Sequence, residues 1–373
     1  MTDPRLSNLA RILVQYSVAV QPGDLVNIGP FGSLVAGIPM LIEVFRETLS
    51  AGGNPHVAIT SASTEEIGYA YFKEASDEQL SFIDPCDDLL VNEMDCDIGF
   101  ICDTNTRFLT HIDPVRQATR RKSRSDLIER MLDRASKGEL RWVLSSFPTT
   151  GQAQDAEMSL EEYEDFVYAA TYADAEDAVA RWNAIREQQE KLVAWLDGKD
   201  VVKISGDGVD LEMSIKGRNF INCCGKENMP DGEIFTGPIE ESVQGRVKFS
   251  YPCIWSGVEV NGVELTFEQG KVVEAHAAKN EAFLLETLKT DAGASYLGEL
   301  GIGTNYQIDR FTGNMLFDEK IGGTIHLALG GGYPESGSKN KSVIHWDLLT
   351  DMRDGGRIII DGELFYESGQ FKI

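Results

Sequence analysis

Basic charge, histidine and paired thiols are all scarce in this sequence, and long apolar runs are missing. Against 60 Asp and Glu there are 34 Lys and Arg, a net charge of −26 with a pI near 4.5. A phosphate backbone would be repelled by that field, so nucleic acid is excluded as an expected partner. No stretch approaches the roughly 20 apolar residues of a membrane-spanning helix, and Met1 to Ala10 lacks a basic segment leading into an apolar run. A cytoplasmic protein with no membrane association is expected. The six cysteines (Cys86, Cys96, Cys102, Cys223, Cys224, Cys253) form neither a CxxC pair nor a disulfide-dense pattern, so reduced thiols without assigned chemistry are expected.

What is present is a globular composition, 42% hydrophobic and 25% charged over 373 residues, long enough for two cores. Leu6, Leu9, Leu13 and Val14 recur at helical spacing before the stop Gln21-Pro22-Gly23-Asp24, and Leu25 to Ile28 reads as a strand. A second helix spans Leu34 to Leu49, and His56 to Thr60 alternates like a strand. Ile98 to Cys102 and Trp142 to Ser145 add two more strands. The result is an α/β N-terminal domain with a parallel sheet, residues 1–198, including a long helical region that runs to Trp195 and is opened by a Ser159/Glu162 capping pair. The basic run Arg116, Arg120, Arg121, Lys122, Arg124 reads as a charged solvent face rather than as an anion site. After Gly198 the pattern changes. Alternating residues from Arg246 to His276, with turns at Asn261-Gly262 and Gln269-Gly270, indicate an antiparallel meander, followed by a helix from Glu281 to Leu288. Residues 199–373 are read as an α+β, β-rich C-terminal domain that binds metal.

With only five histidines, each can be weighed. His345 and Asp347 stand two apart in the apolar segment Val343-Ile344-His345-Trp346-Asp347, so on a strand both project from one face. An imidazole and a carboxylate converging from an apolar strand suit a divalent ion, although a plain His–Asp hydrogen bond would look the same. His326 sits in a second such segment, Thr324 to Leu329, followed by Gly330-Gly331-Gly332, a tight turn that aims Tyr333. Glu233 and Glu299 are single carboxylates in glycine-framed, largely apolar surroundings, where an unpaired charge would carry a large desolvation penalty. Glu319, in Phe317-Asp318-Glu319-Lys320, fits either a solvated charge pair or a ligand. Together these residues form a set of carboxylates and imidazoles that could hold two divalent ions. Such donors without thiolate suit Zn²⁺, Co²⁺, Mn²⁺ or Mg²⁺. Two ions roughly 3.5–4 Å apart can activate a shared water for hydrolysis of an N-terminal residue.

The segments Pro230 to Pro238, Leu316 to Glu319, His326 to Gly330 with Tyr333-Pro334, and His345-Trp346-Asp347 resemble the thermophilic metalloaminopeptidase family of the aminopeptidase T and aminopeptidase S type. Tyr16-Ser17, Gln21 to Asp24 and the Gln152 to Phe166 region extend the resemblance over nearly the whole chain. It implies metal ligation by Glu233, Glu299, Glu319, His326, His345 and Asp347, with Tyr333 as a further ligand or as donor to the tetrahedral intermediate. It also implies two divalent ions, peptide substrates, a homodimer, and an N-terminal domain that helps wall off the site. A second expectation, an Fe(II)-dependent ring-cleaving dioxygenase acting on dihydroxypyridines, would need only about three protein ligands. A peptide-binding protein without turnover would leave the carboxylates unexplained.

Overall fold

The structure is a computed structural model that describes residues 3–59, 64–255 and 258–373. Its chain divides into two compact units, Met1–Trp182 with Gly225–Pro230, and Asn183–Cys224 with Asp231–Ile373. The change of unit therefore lies within the helix Ala178–Leu196 and not at Gly198, which follows that helix. Trp182 is fully buried in the first unit and donates its indole N–H to Thr171 O, whereas Leu192 and Leu196 join the core of the second.

The first unit carries the expected parallel sheet. Strands β1 (Leu25–Gly32), β2 (Asn54–Val57), β3 (Cys96–Cys102) and β4 (Arg141–Ser146) lie in the order β2-β1-β3-β4, and Asn228–Met229 returns to pair with β4. Thr60, expected at the end of β2, falls outside the described residues. The helix Leu34–Ser50 is capped by Ser33, whose Oγ accepts from Ala36 N at 3.3 Å. The capping box of Ser159 and Glu162 opens the helix Leu160–Ala170. In the basic run, Arg116 donates to the carbonyls of Phe72 and Ala75, Arg120 to that of Phe82, and Arg124 pairs with Asp87. These side chains fasten one helical segment to another, while Arg121 and Lys122 are exposed and make no such contact among the described residues.

The second unit contains an eight-stranded antiparallel sheet, which includes the meander Gln244–Lys248, Glu264–Glu268 and Lys271–His276. Gln269 (φ +49°) and Gly270 (φ +79°) make its tight turn. A five-stranded antiparallel sheet is built from β5 (Ile221–Cys223), β6 (Glu233–Thr236), β7 (Leu297–Gly303), β8 (Thr324–Gly330) and β9 (His345–Asp351), in the order β9-β8-β7-β6-β5. Alternation decides what each face does. Ile234, Leu300, Ile302, Ile325, Leu327, Leu329, Trp346 and Leu348 enter one hydrophobic core with Val202, Ile204, Leu211, Leu265 and Ile358 of the larger sheet. Each large side chain there contributes roughly 1.5–3 kcal/mol by leaving water, enough to hold the sheet while its opposite face carries charge. Among the described residues no helix is long and apolar enough to cross a membrane.

Candidate metal centre

The opposite face of the five-stranded sheet gathers the singled-out residues. On β8 the alternate positions are His326, Ala328 and Gly330; on β9 they are His345, Asp347 and Leu349; on β6 they are Glu233 and Phe235. Strand β7 is different. Leu297 pairs with Leu329, but Glu299 pairs with Ala328, so the register shifts by one residue around Gly298. This bulge sends Leu297 into the core and Glu299, two residues later, to the polar face. Gly298 is required there, since a Cβ would stand 2.4 Å from the carbonyl oxygens of both Gly330 and Gly331. Gly301, on the same face as Glu299, leaves room for the His326 ring, whose Nε2 would lie 2.0 Å from a Cβ at that position.

The resulting contacts are close and almost dry. His326, fully buried, places Nε2 3.0 Å from Glu299 Oε1 and 3.2 Å from Glu233 Oε2. His345 places Nε2 3.7 Å from Glu299 Oε2 and 3.5 Å from Asp347 Oδ1. Its Nδ1 donates to Gly331 O at 2.7 Å, which fixes the ring with Nε2 toward the carboxylates. Of three donor sets among the described residues two contain histidine, Glu233–Glu299–His326 and Glu299–His345–Asp347, each with one donor atom per residue, all within 4.8 Å. Glu299 belongs to both.

Glu319 joins from the segment after the short helix Met315–Asp318, its Oε1 2.5 Å from Lys320 Nζ, so it is neither a solvated charge pair nor a member of the two sets. Tyr333 follows the glycine turn, its ring edge-on to His345 at 5.2 Å and 5.4 Å from Phe235. Lys320 and Asp231, both 1% exposed, were not foreseen as part of this cluster. Asp231 lies two residues before Glu233 in a segment already singled out, but outside the strand and across Gly232 (φ +118°), so alternation does not give its face. Lys320 gives no signal either, because a lysine beside a glutamate ordinarily lies at the surface.

The electrostatics show an excess of negative charge. Burial alone would lower the His326 pKa, but Glu233 and Glu299 lift it to about 9. Burial is likewise overcome at His345, where Asp347 and Glu299 raise it to about 10. Burial pushes Glu319 up to about 7 against the pull of Lys320, and raises Glu299 as well. At Asp347 burial is outweighed by His345 and His326, which hold it below its ordinary value. Burial and the neighbouring carboxylates keep the Tyr333 phenol protonated well beyond the usual tyrosine range. Glu233 Oε2, Glu299 Oε2 and Asp347 Oδ1 are buried without a hydrogen-bond partner among the described residues. Buried anionic oxygens of this kind are costly unless a cation meets them, so the donor set fits divalent metal.

Comparison with known proteins agrees with this chemistry. Aminopeptidase 2 of Geobacillus stearothermophilus is 25% identical over 96% of this chain and 94% of its own length. Aminopeptidase T of Thermus thermophilus is 28% identical over 71% of this chain and 72% of its own. The solved structure of wild-type AmpT from Thermus thermophilus superposes with a TM-score of 0.85 at 21% identity, covering 99% of both chains, and so shares the fold. The ring-cleaving dioxygenase finds no support in these relatives. Residues 2–371 match the family described as thermophilic metalloprotease (M29), and the chain belongs to that family.

Proposed function

We propose that the protein is an aminopeptidase that hydrolyses the first bond of peptide substrates at a centre of two divalent ions, held by Glu233, Glu299, Glu319, His326, His345 and Asp347. Membership of a metalloprotease family implies divalent metal, and the named relatives are aminopeptidases. The observation that carries the number two is Glu299, whose Oε1 faces His326 and whose Oε2 faces His345, and which shares a donor set with each. A carboxylate shared between two donor sets is suited to bridging a pair of ions. Oxygen and imidazole donors favour Zn²⁺, Co²⁺, Mn²⁺ or Mg²⁺.

Such ions, when bound, supply a water of lowered pKa and polarise the scissile carbonyl. The chain's own residues orient the reaction. The Gly331 carbonyl holds the His345 ring, and the glycine at 301 lets His326 approach the sheet. Tyr333, 46% exposed with its ring 5.2 Å from that of His345, is placed either to ligate an ion or to donate its O–H to the oxyanion of the tetrahedral intermediate. The homodimer and the cytoplasmic setting are part of the same reading, and light scattering after size-exclusion chromatography tests the first.

The decisive experiment is hydrolysis of leucine p-nitroanilide by chelated protein before and after addition of Co²⁺, Zn²⁺, Mn²⁺ or Mg²⁺. Release restored by metal is expected. No release with any ion would overturn the proposal, and oxygen uptake with Fe²⁺ and a dihydroxypyridine would replace it.

A further inference from the structure

Lys320 stands behind the metal face as one of the largest fully buried side chains of the protein. Its Nζ donates to Glu233 Oε1 at 2.6 Å and to Glu319 Oε1 at 2.5 Å, and lies 3.6 Å from Asp231 Oδ1. Glu233 is thereby divided, with Oε1 on the ammonium and Oε2 facing His326. Glu319 is held by one oxygen in the same way. A third potential donor set, Cys223–Asp231–Glu233, has atoms within 4.8 Å of one another, and two of its three members are carboxylates already facing Lys320.

We infer that Lys320 is a built-in cation of the centre: it positions Glu233 and Glu319 for metal through one oxygen each and keeps Cys223–Asp231–Glu233 from taking up an ion. Charge balance supports this inference, which rests on the two-ion reading above. Asp231, Glu233, Glu299, Glu319 and Asp347 carry five negative charges, matched by two divalent ions and one ammonium. A third ion would overshoot that balance, and loss of the ammonium would leave a buried carboxylate uncompensated. Lysine suits the role because its compact charge points three donors at separate oxygens, whereas the planar fork of arginine matches a single carboxylate.

The test compares metal-free wild type with Lys320→Met, both titrated with Co²⁺ by equilibrium dialysis and near-ultraviolet absorption. Wild type is expected to bind two ions per chain with no thiolate-to-cobalt charge transfer. Lys320→Met should bind cobalt at least ~10-fold more weakly, the scale of supporting-residue losses at metal sites. It should also gain a thiolate band that disappears when Cys223→Ser is added. If Lys320→Met does not fold, Asp231→Asn combined with Lys320→Met removes one charge of each sign and should show the same loss of affinity. Wild-type affinity in the lysine variant without a thiolate band, or a thiolate band in the wild type, would overturn the inference. Fewer than two ions bound by the wild type would sink the two-ion reading, while the contrast between wild type and Lys320→Met would still report on Lys320.

Discussion

Glu299 contributes one oxygen to each donor set, so its loss should damage both at once. Glu299→Gln keeps the shape and removes the charge; kcat/KM on leucine p-nitroanilide should fall at least ~100-fold, with an unchanged circular dichroism spectrum. An active Glu299→Gln protein would refute the shared-carboxylate geometry. His56, His111 and His276 are exposed and belong to none of the donor sets, and their replacement by Gln should leave turnover near wild type. In the first unit, Asp103 offers a pH prediction. Burial, then Glu65 and Asp155, raises its pKa from 3.8 to about 6. The folded state then binds this proton more tightly than the unfolded one, so Asp103 makes stability fall as pH rises from about 4 to about 6. Urea midpoints of Asp103→Asn and wild type should draw apart over that window in favour of the variant, and a constant difference would contradict the assignment.

At the level of elements, the centre depends on a strand that breaks its own alternation. His345 and Asp347 were legible because their strand is regular and two-residue spacing means one face. His326 was legible for the same reason. Glu299 could be singled out by its glycine frame, but not its direction, because the bulge at Gly298 is set by the Gly330 and Gly331 carbonyls across the sheet. The burial of Lys320 was hidden, since an ammonium is buried only by carboxylates brought together from separate segments. The N-terminal sheet was readable from local periodicity, whereas the return of Asn228–Met229 to β4 is a long-range pairing with no local signature. Two glycine substitutions separate scaffold from site. Gly298→Ala presses a methyl on backbone carbonyls and should cost about 1–3 kcal/mol, read as a fall of several degrees in Tm. Gly301→Ala presses on the His326 ring; the expected result is at least ~10-fold weaker metal binding with a smaller change in Tm. Equal effects of the two on metal affinity would show that the bulge and the imidazole pocket are not separable.

For the whole molecule, the question is whether metal makes the fold or merely uses it. The core shared by the two sheets of the second unit lies on the face away from the ligands and contains no member of either donor set. That division predicts a metal-free protein that stays folded, unlike small metal-dependent domains that unfold on chelation. The buried carboxylates nevertheless repel one another without cations, so metal should stabilise the second unit selectively. At free metal about 100-fold above Kd the linkage amounts to roughly 2.7 kcal/mol per site, or about 5–10 °C for a unit of this size. Differential scanning calorimetry of chelated and reloaded protein should show native circular dichroism in both states and a transition that moves up with metal. With two compact units, a second transition indifferent to metal is expected from Met1–Trp182. Collapse of both transitions on chelation would mean that the metal centre, and not the hydrophobic face behind it, holds the protein together.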